Sequence, residues 1–186
     1  MTCRHDRCDG NHAAQRYSRR GIVIALASTT MLCADPPVAA AYAPAEDEAF
    51  MRLALDEARR GDYPFGAVIV RDGAVISRGR NLGKVDDDPT AHGEMVAIRR
   101  CLAHHGSAAL RGSTLYTSGE PCVMCMGAII WCHIDRLVFA ASIKQLAAKI
   151  DQIMIPSADV AANAPFASIT ITAGVLADEA MKLFDK

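Results

Sequence analysis

Pro121-Cys122-Val123-Met124-Cys125, taken together with His92-Gly93-Glu94, decides how the rest of this sequence is arranged. Zinc binds thiolate and imidazole tetrahedrally, and a catalytic site keeps one position for water. His92, Cys122 and Cys125 supply three ligands, which predicts one Zn²⁺ per chain. A C-x-x-C that opens a helix turns both sulfurs toward one metal, and the free N–H groups of the helix start favour thiolate. Pro121 suits that entry, because it lacks the N–H that a first turn leaves unpaired. Glu94 stands two residues from His92, too near to be a convenient fourth ligand, and is better placed to carry protons. Alone, a C-x-x-C is equally a redox pair or a structural zinc knuckle. A structural site would need a fourth ligand, and the positions of the candidates Cys101 and Cys132 do not favour one. The two motifs together, each opening an expected helix, point to a catalytic metal.

Outward from this pair, the pattern alternates strands and helices. A helix is expected from about Glu46 to Arg60, with Phe50, Leu53, Ala54 and Ala58 at helical spacing and Gly61 ending it. Gly66–Val70 and Ala74–Ser77 are apolar and β-branched around Asp72-Gly73, a hairpin signal. A polar loop follows, holding Asn81 and the solvated run Asp86-Asp87-Asp88. His92 opens a helix to about His105, Ser113–Ser118 is a strand, and the Cys122 helix runs to Trp131, apolar nearly all round and so buried. Arg136–Ala140 and Ile169–Thr172 are further strands, and Leu176–Phe184 is a last helix; after Ser142 the pattern is weak. This order predicts an α/β fold with helices on both faces of a sheet.

The chain has 186 residues, 51% of them hydrophobic, enough for one domain with a substantial core. Residues 44–186 form that domain, with 15 basic and 18 acidic residues, a net of −3. Residues 1–43 read as an export signal or a disordered extension. Ser18-Arg19-Arg20-Gly21-Ile22-Val23 is a twin-arginine pattern, and the apolar run from Ile22 to about Leu32 is too short to span a bilayer. Val38-Ala39-Ala40-Ala41-Tyr42-Ala43 offers small residues for cleavage, after Ala40 or Ala41 because Pro44 blocks a cut after Ala43. This places the protein in the periplasm or outside the cell; a mis-assigned start would leave it cytoplasmic. Cys3, His5, Cys8 and His12 have no core to hold a metal and are incidental.

From about Glu46 to Phe184 the chain resembles the cytidine deaminase superfamily, in particular its bacterial guanine deaminase and tRNA adenosine deaminase branch. The matching strings are Pro64–Val70, Asp88–Glu94, Leu115–Ser118 and Glu120–Trp131. The resemblance implies a three-layer α/β/α fold with a five-stranded mixed sheet, and a homodimer or tetramer. It puts zinc on His92, Cys122 and Cys125 and makes Glu94 the proton shuttle in a hydrolysis that releases ammonia. Asn81 matches the base-binding asparagine, although an asparagine there also caps turns. Phe65 and Trp131 match aromatic positions near the pocket, and Asp151 a second proton carrier. Ala164-Pro165-Phe166 resembles the segment that closes over a partner subunit. Gly93 departs from the alanine usual in the purine branches and resembles the fungal cytosine deaminases.

The resemblance therefore implies a small nucleobase or nucleoside substrate, guanine first, with cytosine or a related aminated heterocycle as the alternative. A tRNA substrate fits poorly, because phosphate contacts need Lys and Arg and this domain is slightly acidic. A zinc-stabilised scaffold without catalysis is the alternative from another class. It would have no use for Glu94.

Overall fold

The computed structural model describes residues 44–185, all within the compact unit that spans Ala40–Lys186. The expected export signal, residues 1–43, lies outside the described residues. Helix α1, Pro44–Arg59, carries Glu46 and Asp47 in its first turn and Arg59 in its last, charges that complement the helix dipole. Its buried stripe is Met51, Ala54, Leu55 and Ala58, with Phe50 and Leu53 on the flanks. Strands β1, Gly66–Arg71, and β2, Ala74–Arg80, form the expected hairpin. Asp72 at φ 51° and Gly73 at φ 74° provide the two left-handed residues that a tight hairpin turn needs.

Helix α2, Gly93–His105, is followed by β3, Thr114–Gly119, then α3, Val123–Trp131, and β4, Arg136–Ala141. The weakly patterned stretch after Ser142 contains two short helices the sequence did not announce: α4, Ile143–Leu146, and α5, Ser157–Ala162. Strand β5, Thr170–Ala173, and helix α6, Ala177–Met181, complete the fold, with a 3-10 turn at Lys182–Phe184. Among the described residues, no helix is long and apolar enough to cross a membrane.

The sheet order is β2-β1-β3-β4-β5. β1 pairs antiparallel with β2 and β3, and β4 pairs parallel with β3 and β5. Side chains alternate across the sheet. Ala67, Ile69, Leu115, Leu137 and Phe139 face α2, α3 and α5. Val68, Val70, Tyr116, Val138 and Ala140 face α1 and α6. The expected three-layer mixed α/β fold is what the chain forms. Burying each large apolar side chain on these faces stabilises it by about 1.5–3 kcal/mol. Because β3 and β4 run parallel, the connection β3-α3-β4 puts the start of α3 at the carboxyl end of the sheet, where open α/β folds bind ligands.

Candidate metal centre and cleft

Two helix starts converge at that end. His92 is the residue that caps α2, at φ −66° and ψ 157°, and Cys122 caps α3, at φ −64° and ψ 168°. Neither side chain makes the capping bond that a Ser or Asp would. Both turn toward each other instead. The His92 Nδ1 lies 3.7 Å from the Cys122 Sγ and 3.5 Å from the Cys125 Sγ. A tetrahedral zinc with ordinary Zn–S and Zn–N lengths would separate sulfur from nitrogen by about 3.6 Å. The three ligand atoms lie within 4.8 Å of one another, so the donor set and its spacing fit one zinc ion.

The protons agree with that fit. The hydrogen bond from Cys125 lowers the Cys122 thiol to about 4 against the effect of burial, with His92 assisting. The same hydrogen bond, burial and the nearby Glu94 push the Cys125 thiol far up. Hydrogen bonding to Cys122 raises His92. The two sulfurs thus share one proton near neutral pH, and a thiophilic cation would displace it.

Glu94, in the first turn of α2, is only 3% exposed, and burial pushes its carboxyl up to about 7. Above it opens a cleft of about 660 Å³, within the range of small-molecule sites. His92, Glu94 and Cys122 line it together with Phe65, Asn81 and Asp151. Asn81 is nearly buried, and its Oδ1 accepts the Gly83 N–H at 3.1 Å. It both caps a turn and lines the cleft. The Phe65 ring packs edge-on against Phe184 at 5.4 Å.

Trp131 does not join them. It ends α3, nine residues and about 12 Å along the helix from its start. It is 72% exposed and stacks at 4.7 Å on Phe166, over a groove that Ile155 also lines. A substrate contact by Trp131 in this cleft is therefore corrected, and so is the fully buried α3.

The acidic run is solvated as expected at Asp86 and Asp87, which are exposed, while Asp88 is half-buried. Hydrogen bonds from the Thr90 hydroxyl and N–H, with Arg99 beside them, hold Asp88 below its ordinary value. They shape the turn that leads into His92. Gly93 has a packing reason. A Cβ there would meet the backbone of Phe65 and Gly66 at 2.8–3.1 Å, so only glycine lets α2 start this close to β1. Sequence reasoning passed over Glu120, whose buried carboxylate accepts backbone N–H groups of Ile143 and Ser157. Its place directly before Pro121 was the one available signal.

The fold and this donor set define a three-ligand zinc site between two helix starts in an α/β/α sandwich. Residues 44–141 match the family described as the cytidine and deoxycytidylate deaminase zinc-binding region, and the chain belongs to that family. It is 44% identical over 99 residues to guanine deaminase of Bacillus subtilis (strain 168), 50% of this chain and 64% of that relative. It is 40% identical over 98 residues to the tRNA-specific adenosine deaminase of Aquifex aeolicus (strain VF5), 50% of this chain and 65% of that relative. The chain thus spans somewhat less than two thirds of the length of these relatives. A solved guanine deaminase from Nitrosomonas europaea shares the fold with a TM-score of 0.64 and 28% identity, covering 81% of this chain and 87% of that one.

Proposed function

We propose that this protein is a hydrolytic deaminase of a free purine base, guanine before the others. The observation that carries this is a buried carboxyl group pushed up to about 7 beside a three-ligand metal site, both facing one cleft. Zinc bound to His92, Cys122 and Cys125 supplies a Lewis acid and lowers the pKa of water toward neutrality. Glu94 sits beside those ligands with a pKa suited to both taking and giving a proton. It would carry one proton of the attacking water to the ring nitrogen, and then the remaining hydroxyl proton to the departing amine as the carbon–nitrogen bond breaks and the oxo group forms. The products are the oxo base and ammonia.

The cleft supports a base rather than a nucleic acid. Asn81 uses its oxygen on Gly83, which leaves its NH₂ to donate to an acceptor on the base edge. Phe65 offers an apolar wall, and Asp151 stands at the cleft as a second proton carrier for the leaving amine. Asp87 and Asp151 oppose the single cation Lys84 among the residues lining the cleft, a poor match for phosphates. The cytosine alternative rested on Gly93, and packing against β1 accounts for that glycine. The similarity to tRNA-specific adenosine deaminases keeps an RNA adenosine as the second reading.

The test is ammonia release by the zinc-loaded chain against guanine, guanosine, adenine, adenosine, cytosine, cytidine and an anticodon stem-loop RNA. Turnover of guanine alone is the expected result. Turnover of the RNA, or of no substrate by a zinc-loaded protein, overturns the reading. The exposed Trp131, Phe166 and Ile155 support a homodimer on that face, and light scattering of Trp131→Ala would show a monomer if this is right. The twin-arginine pattern supports export, testable by fractionation after Arg19→Lys/Arg20→Lys.

A further inference from the structure

We propose that Glu120 is a positioning residue that fixes the Asp151 segment against the Cys122 loop. This rests on the deaminase reading for its kinetic consequence but not for its structural one. Glu120 leaves the end of β3, and its backbone N–H donates to the Ala141 carbonyl at 2.7 Å, holding it beside the end of β4. Its side chain is turned inward, with the residue 9% exposed. One carboxylate oxygen accepts the Ile143 N–H at 2.8 Å, and the other accepts the Ser157 N–H at 2.8 Å. The fully buried Ser157 hydroxyl donates to the Pro121 carbonyl at 3.3 Å.

Ile143 and Ser157 are the first residues of α4 and α5, whose leading N–H groups have no partner within their own helices. One carboxylate thus satisfies two helix starts with charge-assisted bonds. The helices are four and six residues long, far below the length that persists unaided. Between them runs the stretch in which Ile150, Asp151, Gln152 and Ile153 line the cleft. Both ends of that wall are therefore tied to the residue that precedes Pro121-Cys122. The metal is held by α2 and α3 and does not depend on these bonds. Glu120 sets where Asp151 stands relative to Glu94 and the ligands; it also lines the cleft itself, so amide exchange in the Asp151 segment is the reading that separates positioning from a direct contact.

The substitutions form a ladder. Glu120→Gln keeps one acceptor and sets an NH₂ against a backbone N–H, so it loses one bond. Glu120→Ala loses both. In the zinc-loaded full chain, both variants should keep the wild-type zinc content. Amide exchange should accelerate at Ile143, at Ser157 and across residues 147–156, more in Glu120→Ala, while the sheet stays protected. The kcat/KM for guanine should fall by up to about 100-fold, the scale of losing alignment by roughly an ångström, with kcat carrying most of the loss. Unchanged exchange in that segment, an acceleration spread evenly over the fold, or an unchanged kcat/KM would overturn the proposal. Should Glu120→Ala not fold, Glu120→Gln gives the same readings at smaller amplitude. A wild type that is inactive on guanine would defeat the functional reading alone, and the exchange and zinc measurements would still decide the role of Glu120.

Discussion

Replacing Asp47 by alanine should destabilise the fold severely while leaving the chemistry of each folded molecule intact. Asp47 lies in the first turn of α1 and is 5% exposed. Arg136 donates to both its oxygens at 2.7 Å, and the Tyr116 hydroxyl donates at 2.9 Å. Arg136 also donates to the Thr172 hydroxyl at 2.9 Å, so α1, β3, β4 and β5 meet at one ion pair. With both side chains withdrawn from water, removing the carboxylate breaks this buried pair from one side, at a cost of about 3–5 kcal/mol. That is from about a fifth to the whole of the roughly 5–15 kcal/mol that holds a typical domain. Burial works to raise the Asp47 pKa, but the bonds from Arg136 and Tyr116 outweigh it and lower the value. A lowered folded pKa stabilises above the ordinary carboxylate range, and that stability is lost as pH falls through the folded value. Urea denaturation of wild type and Asp47→Ala at pH 7 and near pH 3, below the ordinary carboxylate value, measures both effects. The gap between them should narrow at the lower pH. Asp47→Leu/Arg136→Met should recover much of the loss, because replacing both members of a buried pair by apolar groups of similar volume spares the cost of burying charge. Arg136 sits at the amino end of β4, about 16 Å along the strand from the carboxyl end where the cleft opens, so kcat at 25 °C should hold. A loss below about 1 kcal/mol, the scale of an exposed pair, would refute the reasoning.

Glu94→Gln should retain zinc and reduce ammonia release by about 10²- to 10⁴-fold, because the ligands remain and the proton carrier does not; metal analysis beside steady-state kinetics checks both. Cys122→Ala should lose zinc and turnover together, and a zinc-free active variant would contradict the site. Gly93→Ala should cost about 1–3 kcal/mol by thermal melting, since the new methyl meets the β1 backbone, and should lower activity by moving His92 and Glu94. Thr117→Val should stabilise by about 1 kcal/mol, because the buried Thr117 hydroxyl has no hydrogen-bond partner among the described residues and valine has nearly the same shape.

The metal centre was legible because its information is local. A C-x-x-C at a helix start places two sulfurs by backbone geometry alone, and His92 and Glu94 are set by the first turn of α2. The hairpin was legible for the same reason, since Asp72-Gly73 imposes its own turn. What proved harder depended on partners far along the chain. Nothing in residues 143–162 has the periodicity of a long helix, because α4 and α5 are held by a carboxylate 23 and 37 residues upstream. The aromatic character of Trp131 gave no hint that it would point to solvent beside Phe166.

The sequence by itself marked out the candidate zinc ligands, the candidate proton carrier, the alternation of strands and helices and the hairpin, each read from a short local motif. Only the tertiary structure decided that Asp47 would meet Arg136 across 89 residues, that Glu120 would tie two short helices to the metal loop, and that Asp151 rather than Trp131 would face the cleft. The physical reason is that a buried charge or an aromatic face takes its role from what the strand order brings against it. That order emerges from burying both faces of one sheet at once.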